Sequence, residues 1–179
     1  MAQTPEPVGL VAVPEVPGQG AAAGRGVLAG LVGAIAFTVF CSIVFAIAGG
    51  GALKPINLVA YTFWDSAPNS SRFHTGGLVL GMVILALAGI GIGAPLALLL
   101  HNLGPPHWAL VLGLPIVIVN VLWAPGHYLI WPAIHPEAAG AFPPLWAWIG
   151  HSLYGLAFGM TTLALGEPRS VWGARMAQT

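Results

Sequence analysis

The chain has 179 residues, of which 57% are hydrophobic and only 6% are charged. A soluble domain carries roughly 25% charged residues, so this composition cannot cover a water-facing surface and predicts one that faces lipid. Five basic residues balance five acidic ones; no basic run exists to neutralise phosphates, which argues against nucleic acid as a partner.

Residues 1–24 are rich in Pro, Gly, Ala and Val, with Pro5, Glu6, Pro7, Pro14, Glu15 and Pro17 interrupting any period. They read as a flexible tail that buries too little surface to order itself. No basic n-region precedes the first apolar run, and that run is too long for a signal-peptide core, so it reads as a span that stays.

The charged residues map the rest by their absence. None lies between Arg25 and Lys54, none from Phe73 to Pro136, and none from Ala138 to Gly166. The first and third gaps each fit one helix through a hydrocarbon core about 30 Å thick. The middle gap fits two, because His101-Asn102-Leu103-Gly104-Pro105-Pro106-His107 breaks it. The predicted spans are therefore 26–48, 75–100, 108–131 and 145–165. They predict an all-α, polytopic membrane protein with four transmembrane helices in two hairpins. The domain runs over residues 25–166, and a short tail follows over residues 167–179. Lipid gives an open backbone no partner, so the spans must be helical.

Between the first two spans, Lys54, Asn57, Tyr61 and Asp65 recur every three or four residues, while Leu53, Ile56, Ala60 and Phe63 line the opposite side. The pattern predicts a short helix in the interface plane, held by Trp64; the alternative is a plain loop. Ser66–Ser71 reads as a turn. Arg25, Arg169 and Arg175 fall on the side of the termini, and Lys54 and Arg72 fall opposite. The bias places both termini in the cytoplasm.

Twelve residues from Gly77 match twelve from Gly155 at 7 positions. This match raises an internal repeat of two hairpins about an axis along the membrane normal. Gly-xxx-Gly pairs at Gly20/Gly24, Gly26/Gly30, Gly77/Gly81, Gly89/Gly93 and Gly155/Gly159 predict close helix packing, within the chain or with another protein.

No acidic or basic residue falls inside a predicted span, which argues against an ion-coupled pump or proton relay. No phosphate loop, zincin or hydrolase motif occurs. Cys41, the single cysteine, reads as a small buried hydrophobe. Of six histidines, His74, His127, His135 and His151 gather at the membrane face opposite the termini, with Asp65 and Glu137. His101 and His107 flank the turn on the other face. Imidazole ligates metals and haem iron, so His127 and His151 are candidate cofactor ligands, with His74 and His135 as further metal ligands. The competing reading is amphipathic histidine at an interface, with no cofactor. Trp123, Tyr128, Trp131, Phe142, Trp146 and Trp148 crowd the same face; they read as an interfacial belt or as a docking surface for a pigment, quinone or partner helix. The third span holds Pro115, Asn120 and Pro125. The prolines predict bends, and Asn120 must find a partner at mid-depth, for which Thr38, Cys41 and Ser42 are candidates.

The run Ala52–Ala60 (Ala-Leu-Lys-Pro-Ile-Asn-Leu-Val-Ala) and the run Trp148–Gly159 (Trp-Ile-Gly-His-Ser-Leu-Tyr-Gly-Leu-Ala-Phe-Gly) resemble segments of small four-span proteins of bacterial inner membranes. The resemblance covers residues 26–166. It implies the topology and a bacterial inner membrane, and it carries over no activity and no functional residue. Three functions follow as expectations. The first is a non-enzymatic subunit or scaffold that packs against itself or a larger membrane complex. The second is a redox or metal-binding protein using His127 and His151. The third is a small channel or uncoupled transporter with Asn120 along its path.

Overall fold

The computed structural model describes residues 18–103 and 107–166, and every regular element among them is helical. The chain order is α1 (Gln19–Ile47), α2 (Lys54–Tyr61), α3 (Thr75–Asn102), α4 (Trp108–Pro125), a π-helical segment (Gly126–Ile130), α5 (Trp131–Ile134), α6 (Pro136–Gly140) and α7 (Pro144–Leu165). Helix α1 starts at Gln19, inside the stretch read as tail. Most of that tail, the C-terminal tail and part of the turn after α3 lie outside the described residues.

Local chemistry sets the ends. Helix α1 stops where Gly49 and Gly51 take φ of +80° and +81°, conformations that side chains with a Cβ rarely adopt. The Gly50 and Gly51 N–H groups then donate to the Phe45 carbonyl at 2.8 and 3.0 Å, satisfying an end that would otherwise be orphaned. Three other helices begin on a histidine. Nδ1 of His74, His107 and His135 accepts from the N–H of Gly77 (2.9 Å), Ala109 (3.3 Å) and Ala138 (3.2 Å). Each ring does what Ser or Asp usually does at this position, so these imidazoles carry Nδ1 bare.

Three stretches are long and apolar enough to cross a membrane: Gln19–Ile47, Thr75–Asn102 and Trp108–Ile134. The chain is a multi-pass membrane protein by this measure. Their outer faces are apolar; Ile35, Val39, Ile43 and Ile47 form one exposed stripe at helical spacing along α1.

Helix α1 packs chiefly against α3 and α7, and α7 against α4, whereas α3 and α4 scarcely touch. Lipid tails are as apolar as leucine, so close backbone approach rather than burial from water holds such helices together. At the α1–α3 seam Gly26 and Gly30 face Gly89 and Gly93, all four buried. A Cβ on any of the four would strike the backbone of the opposite helix. Gly155 and Gly159 perform the same service for α7 against Pro115–Ile116 and Val111–Leu112 of α4. Tyr154 crosses from α7 to donate its hydroxyl to the Gly89 carbonyl at 3.1 Å.

Two sequence readings are revised by this packing. A twofold relating the hairpins would make α3 pack on α1 through Gly77 and Gly81, as α7 packs on α4. Instead Gly81 abuts Ile56 of α2, and Gly77 lies by His74, Pro68 and Asn57. The twelve-residue match therefore reflects shared small-residue composition. Helix α2 is a helix and not a loop; of its expected polar face Lys54 and Tyr61 are half-buried and Asp65 beyond its end is exposed, but Asn57 is not at water. Asn57 is completely buried with Ile56, Leu58 and Ala60, because α2 folds onto α3 and α1.

Candidate functional site

One end of the bundle holds the termini of the described chain. There Arg25 at the start of α1 donates to the Leu165 carbonyl at the end of α7, at 3.4 Å. The opposite end is capped by α2, the π-segment, α5 and α6, and it collects the aromatic and polar side chains.

The π-segment explains how His127 comes to be buried. Pro125 has no N–H to give to Val121, four residues back. The helix widens over Gly126–Ile130 before resuming at Trp131, and such π-bulges recur at functional sites. His127 is 6% exposed. Its ring lies 5.2 Å from Trp123, 5.0 Å from Tyr128 and 5.8 Å from Trp131 between centroids. His151 of α7 packs on the same Trp123 at 5.9 Å and on Phe37 at 4.7 Å. Its Nδ1 lies 2.7 Å from the Ala147 carbonyl. A carbonyl only accepts, so Nδ1 carries the proton and Nε2 keeps a free lone pair.

Orphaned polar atoms run along this seam. Asn120 Nδ2 donates to the Ile116 carbonyl at 2.9 Å and to Ser152 Oγ at 3.0 Å. Its mid-depth partner is thus α7, not α1. Thr38 of α1 instead donates back to the Ala34 carbonyl. Asn120 Oδ1, Trp123 Nε1 and His127 Nδ1 are buried with no partner among the described residues. Asn120, Trp123 and His127 are spaced three and four apart, so these three atoms lie along one side of α4 and its extension.

Below His127 a cleft of about 300 Å³ opens between the π-segment, α5, α6 and the turn into α7. His127 and Tyr128 are its polar lining. Pro132, Pro136, Phe142 and Pro144 supply most of the rest.

His74 and His135 are engaged elsewhere. His74 caps α3 and lies against Trp64 at 5.3 Å. His135 caps α6, lies 4.4 Å from the Tyr61 ring, and places Nε2 3.5 Å from Asp65. Among the described residues no three His, Cys, Asp or Glu side chains are grouped to hold a metal. The structure thus brings His127 and His151 to one indole and leaves the other two at separate posts.

Glu137, flagged by position alone, is the hub of the cap. One carboxylate oxygen accepts from Tyr61 Oη at 2.9 Å and the other from Asn69 Nδ2 at 2.9 Å, tying α6 to α2 and its following loop. The bond to Glu137 favours the neutral phenol and raises the Tyr61 pKa above its ordinary 10. Asn57 anchors the loop from within, donating to the Ser70 and Arg72 carbonyls at 2.7 and 3.0 Å. Trp131 Nε1 donates to Thr62 Oγ1 at 2.9 Å. Part of the aromatic belt is therefore interior: Phe142 is buried, while Tyr128 and Trp148 stay exposed.

A comparison of the chain with protein-family models, with curated proteins and with solved structures finds no match.

Proposed function

We propose that the chain is a four-span protein of a bacterial inner membrane, with both termini cytoplasmic, acting as a non-enzymatic subunit that packs within a homo-oligomer or a larger membrane complex. Helix α7 is the fourth span in this reading. It is 22 residues long, roughly 33 Å at 1.5 Å per residue. Its hydroxyl groups find acceptors within the bundle, as hydrocarbon requires. Ser152, Thr161 and Thr162 each donate to the carbonyl four residues back. The contact of Arg25 with Leu165 supports an even number of crossings, and Arg25, Arg169 and Arg175 support the cytoplasmic side.

The observation that carries the packing role is the outer face of α3. The pairs Gly26/Gly30 of α1, Gly155/Gly159 of α7 and Gly89/Gly93 of α3 are consumed inside the chain, whereas Gly20/Gly24 at the start of α1 meets nothing within 4 Å. Leu87, Ala88, Gly91 and Pro95 remain exposed on α3, and a Cβ on Gly91 would meet nothing within 4 Å. A helix of a neighbouring molecule can approach closely there. The native protein in mild detergent should have a protein mass well above the 18.4 kDa of one chain. Gly91→Leu should reduce that mass without lowering the melting temperature. A monomer with no co-purifying partner, or an assembly indifferent to Gly91→Leu, overturns the reading.

A second reading, haem or a transition metal held by His127 and His151, is favoured by their meeting at Trp123. It requires a Soret band or bound metal in protein from native cells, lost in His127→Ala and His151→Ala. A colourless, metal-free preparation excludes it. For the third expectation, a channel, Asn120→Leu in liposomes should abolish flux; the bond of Asn120 to Ser152 supports a role as helix glue instead.

A further inference from the structure

We propose that a second copy of the chain covers the outer face of α3, the Gly91 turn of each copy donating Cα–H to the Gly91 carbonyl that Pro95 deprives of its helical donor in the other. This names the partner in the packing role proposed above and rests on it.

Three prolines stand inside α3 and α4: Pro95, Pro115 and Pro125. Each lacks an N–H, so each takes the donor from the carbonyl four residues back. In hydrocarbon no water replaces that donor, and a neighbouring helix or a local π adjustment must do so. Two of the three losses are answered within the chain. After Pro125 the helix widens into the π-segment. Pro115 deprives Val111, and Gly159 of α7 closes on that oxygen; a Cβ on Gly159 would lie 2.5 Å from it. Glycine permits the approach, and Cα–H is a weak donor at helix–helix contacts.

Pro95 deprives Gly91, which lies about 4 Å from the midpoint of α3 at 1.5 Å per residue. Helix α3 continues as α-helix to Asn102, so no π adjustment answers. No neighbouring helix answers either. Gly91 stands nearly opposite Gly89 and Gly93 and so faces away from α1. Gly91 and Pro95 are both exposed, and a Cβ on Gly91 would meet nothing within 4 Å. What meets Val111 inside the chain is a glycine turn, and the outer face of α3 carries one itself. It presents a deprived acceptor and an open Cα–H side by side, which makes the face self-complementary, as a twofold interface requires. The axis lies along the membrane normal, so the two α3 helices run parallel and cross at Gly91. Exposed Leu87 and Ala88 extend the contact by a turn, and α3 holds no Asp, Glu, Lys or Arg to repel the copy.

The test is energy transfer between full-length chains carrying N-terminal fluorescent proteins, purified alone and reconstituted in liposomes over a range of protein-to-lipid ratios. Saturable transfer is expected. Pro95→Ala restores an N–H to the Gly91 carbonyl within the helix and should weaken association at least fivefold, while Gly91→Leu should abolish it. Pro95→Ala should melt no lower than the parent, read by maleimide reaction of buried Cys41, which separates a lost contact from a lost fold. Oxidation should cross-link Leu87→Cys, one turn from Gly91, and not Val39→Cys on the exposed stripe of α1. Equal association of the parent and Pro95→Ala overturns the role of the deprived carbonyl, and equal cross-linking at Val39→Cys overturns the choice of face. A chain that is monomeric alone in liposomes but exceeds 18.4 kDa when extracted from native membranes overturns the second copy and leaves the packing role standing; a monomer in both overturns both.

Discussion

Gly30→Ala should destabilise the fold through the α1–α3 seam, whereas the same change at Gly113 should not. A Cβ on Gly30 would overlap the Gly89 carbonyl oxygen and come within 2.9 Å of the Gly93 Cα. Carbon atoms prefer about 3.5–4.0 Å, so the two helices must part by roughly 0.6 Å or more. Backbone faces backbone, so no rotamer change can absorb the overlap. Overpacking of this kind costs about 1–3 kcal/mol, and a gap of 0.5–1 Å forfeits a quarter to a half of each lost contact along the seam. Gly113 lies inside α4, and a Cβ there meets nothing within 4 Å. Both changes gain the same helix propensity, about 0.8–1 kcal/mol, so the difference between the two variants isolates the clash. Cys41 is the single cysteine and is fully buried; its reaction with a maleimide dye on heating in detergent reports unfolding. Gly30→Ala should melt several degrees below Gly113→Ala, at about 2–4 °C per kcal/mol for a chain of this size. A Gly30→Ala protein that melts at or above Gly113→Ala would refute the seam.

Other consequences are separately measurable. His74→Ala removes the acceptor for the Gly77 N–H and should cost about 1 kcal/mol in the same melt, while His74→Asn, a good cap, should restore most of it; an equal loss in both variants contradicts the capping role. Asn57→Ala frees the Ser70 and Arg72 carbonyls, at about 1–3 kcal/mol, so trypsin should cut after Arg72 several-fold faster, and unchanged protection would show that the loop is held by something else. Tyr61 loses its donor role to Glu137 on ionisation, so its contribution is complete below the unfolded value near 10 and disappears as pH rises through the higher folded value. Glu137→Gln should move the Tyr61 phenolate absorbance change to lower pH, measured as the difference from matched Tyr61→Phe proteins; a midpoint insensitive to Glu137 is the opposing result.

The long apolar stretches were legible because charge avoidance is a linear property of a chain. Gaps in charge, divided by the turn signal at 101–107, located α1, α3 and the stretch Trp108–Ile134 to within a few residues, except that α1 reaches back to Gln19 and α4 itself gives way to the π-segment after Pro125. The glycine spacing signalled close packing, but not which faces meet. Nothing local distinguishes Gly89/Gly93, which meet a glycine pair on α1, from Gly77/Gly81, which meet α2 and its loop. The histidines illustrate the same limit. Their clustering near one face was visible, but their reason was not. His74 and His135 stand there as helix caps, an assignment that depends on ring orientation. His127 enters the interior through a change of helical register after Pro125, where the sequence predicts only a bend. Asn120 was read as needing a partner, but helices α1 and α7 both offered a hydroxyl, and only the packing order chooses Ser152. Tyr154, the bridge to Gly89, gave no signal beyond being one tyrosine in a greasy helix.

The number of crossings is the claim on which the sidedness, the cap and the packing role all rest. Alkaline phosphatase and green fluorescent protein fused in turn to each terminus, and inserted at Gly140 in the loop before α7, measure it directly. Four crossings predict fluorescence without phosphatase activity at both termini and the reverse at Gly140. Termini reporting from opposite compartments would mean that α7 does not cross, and the four-span arrangement would be wrong.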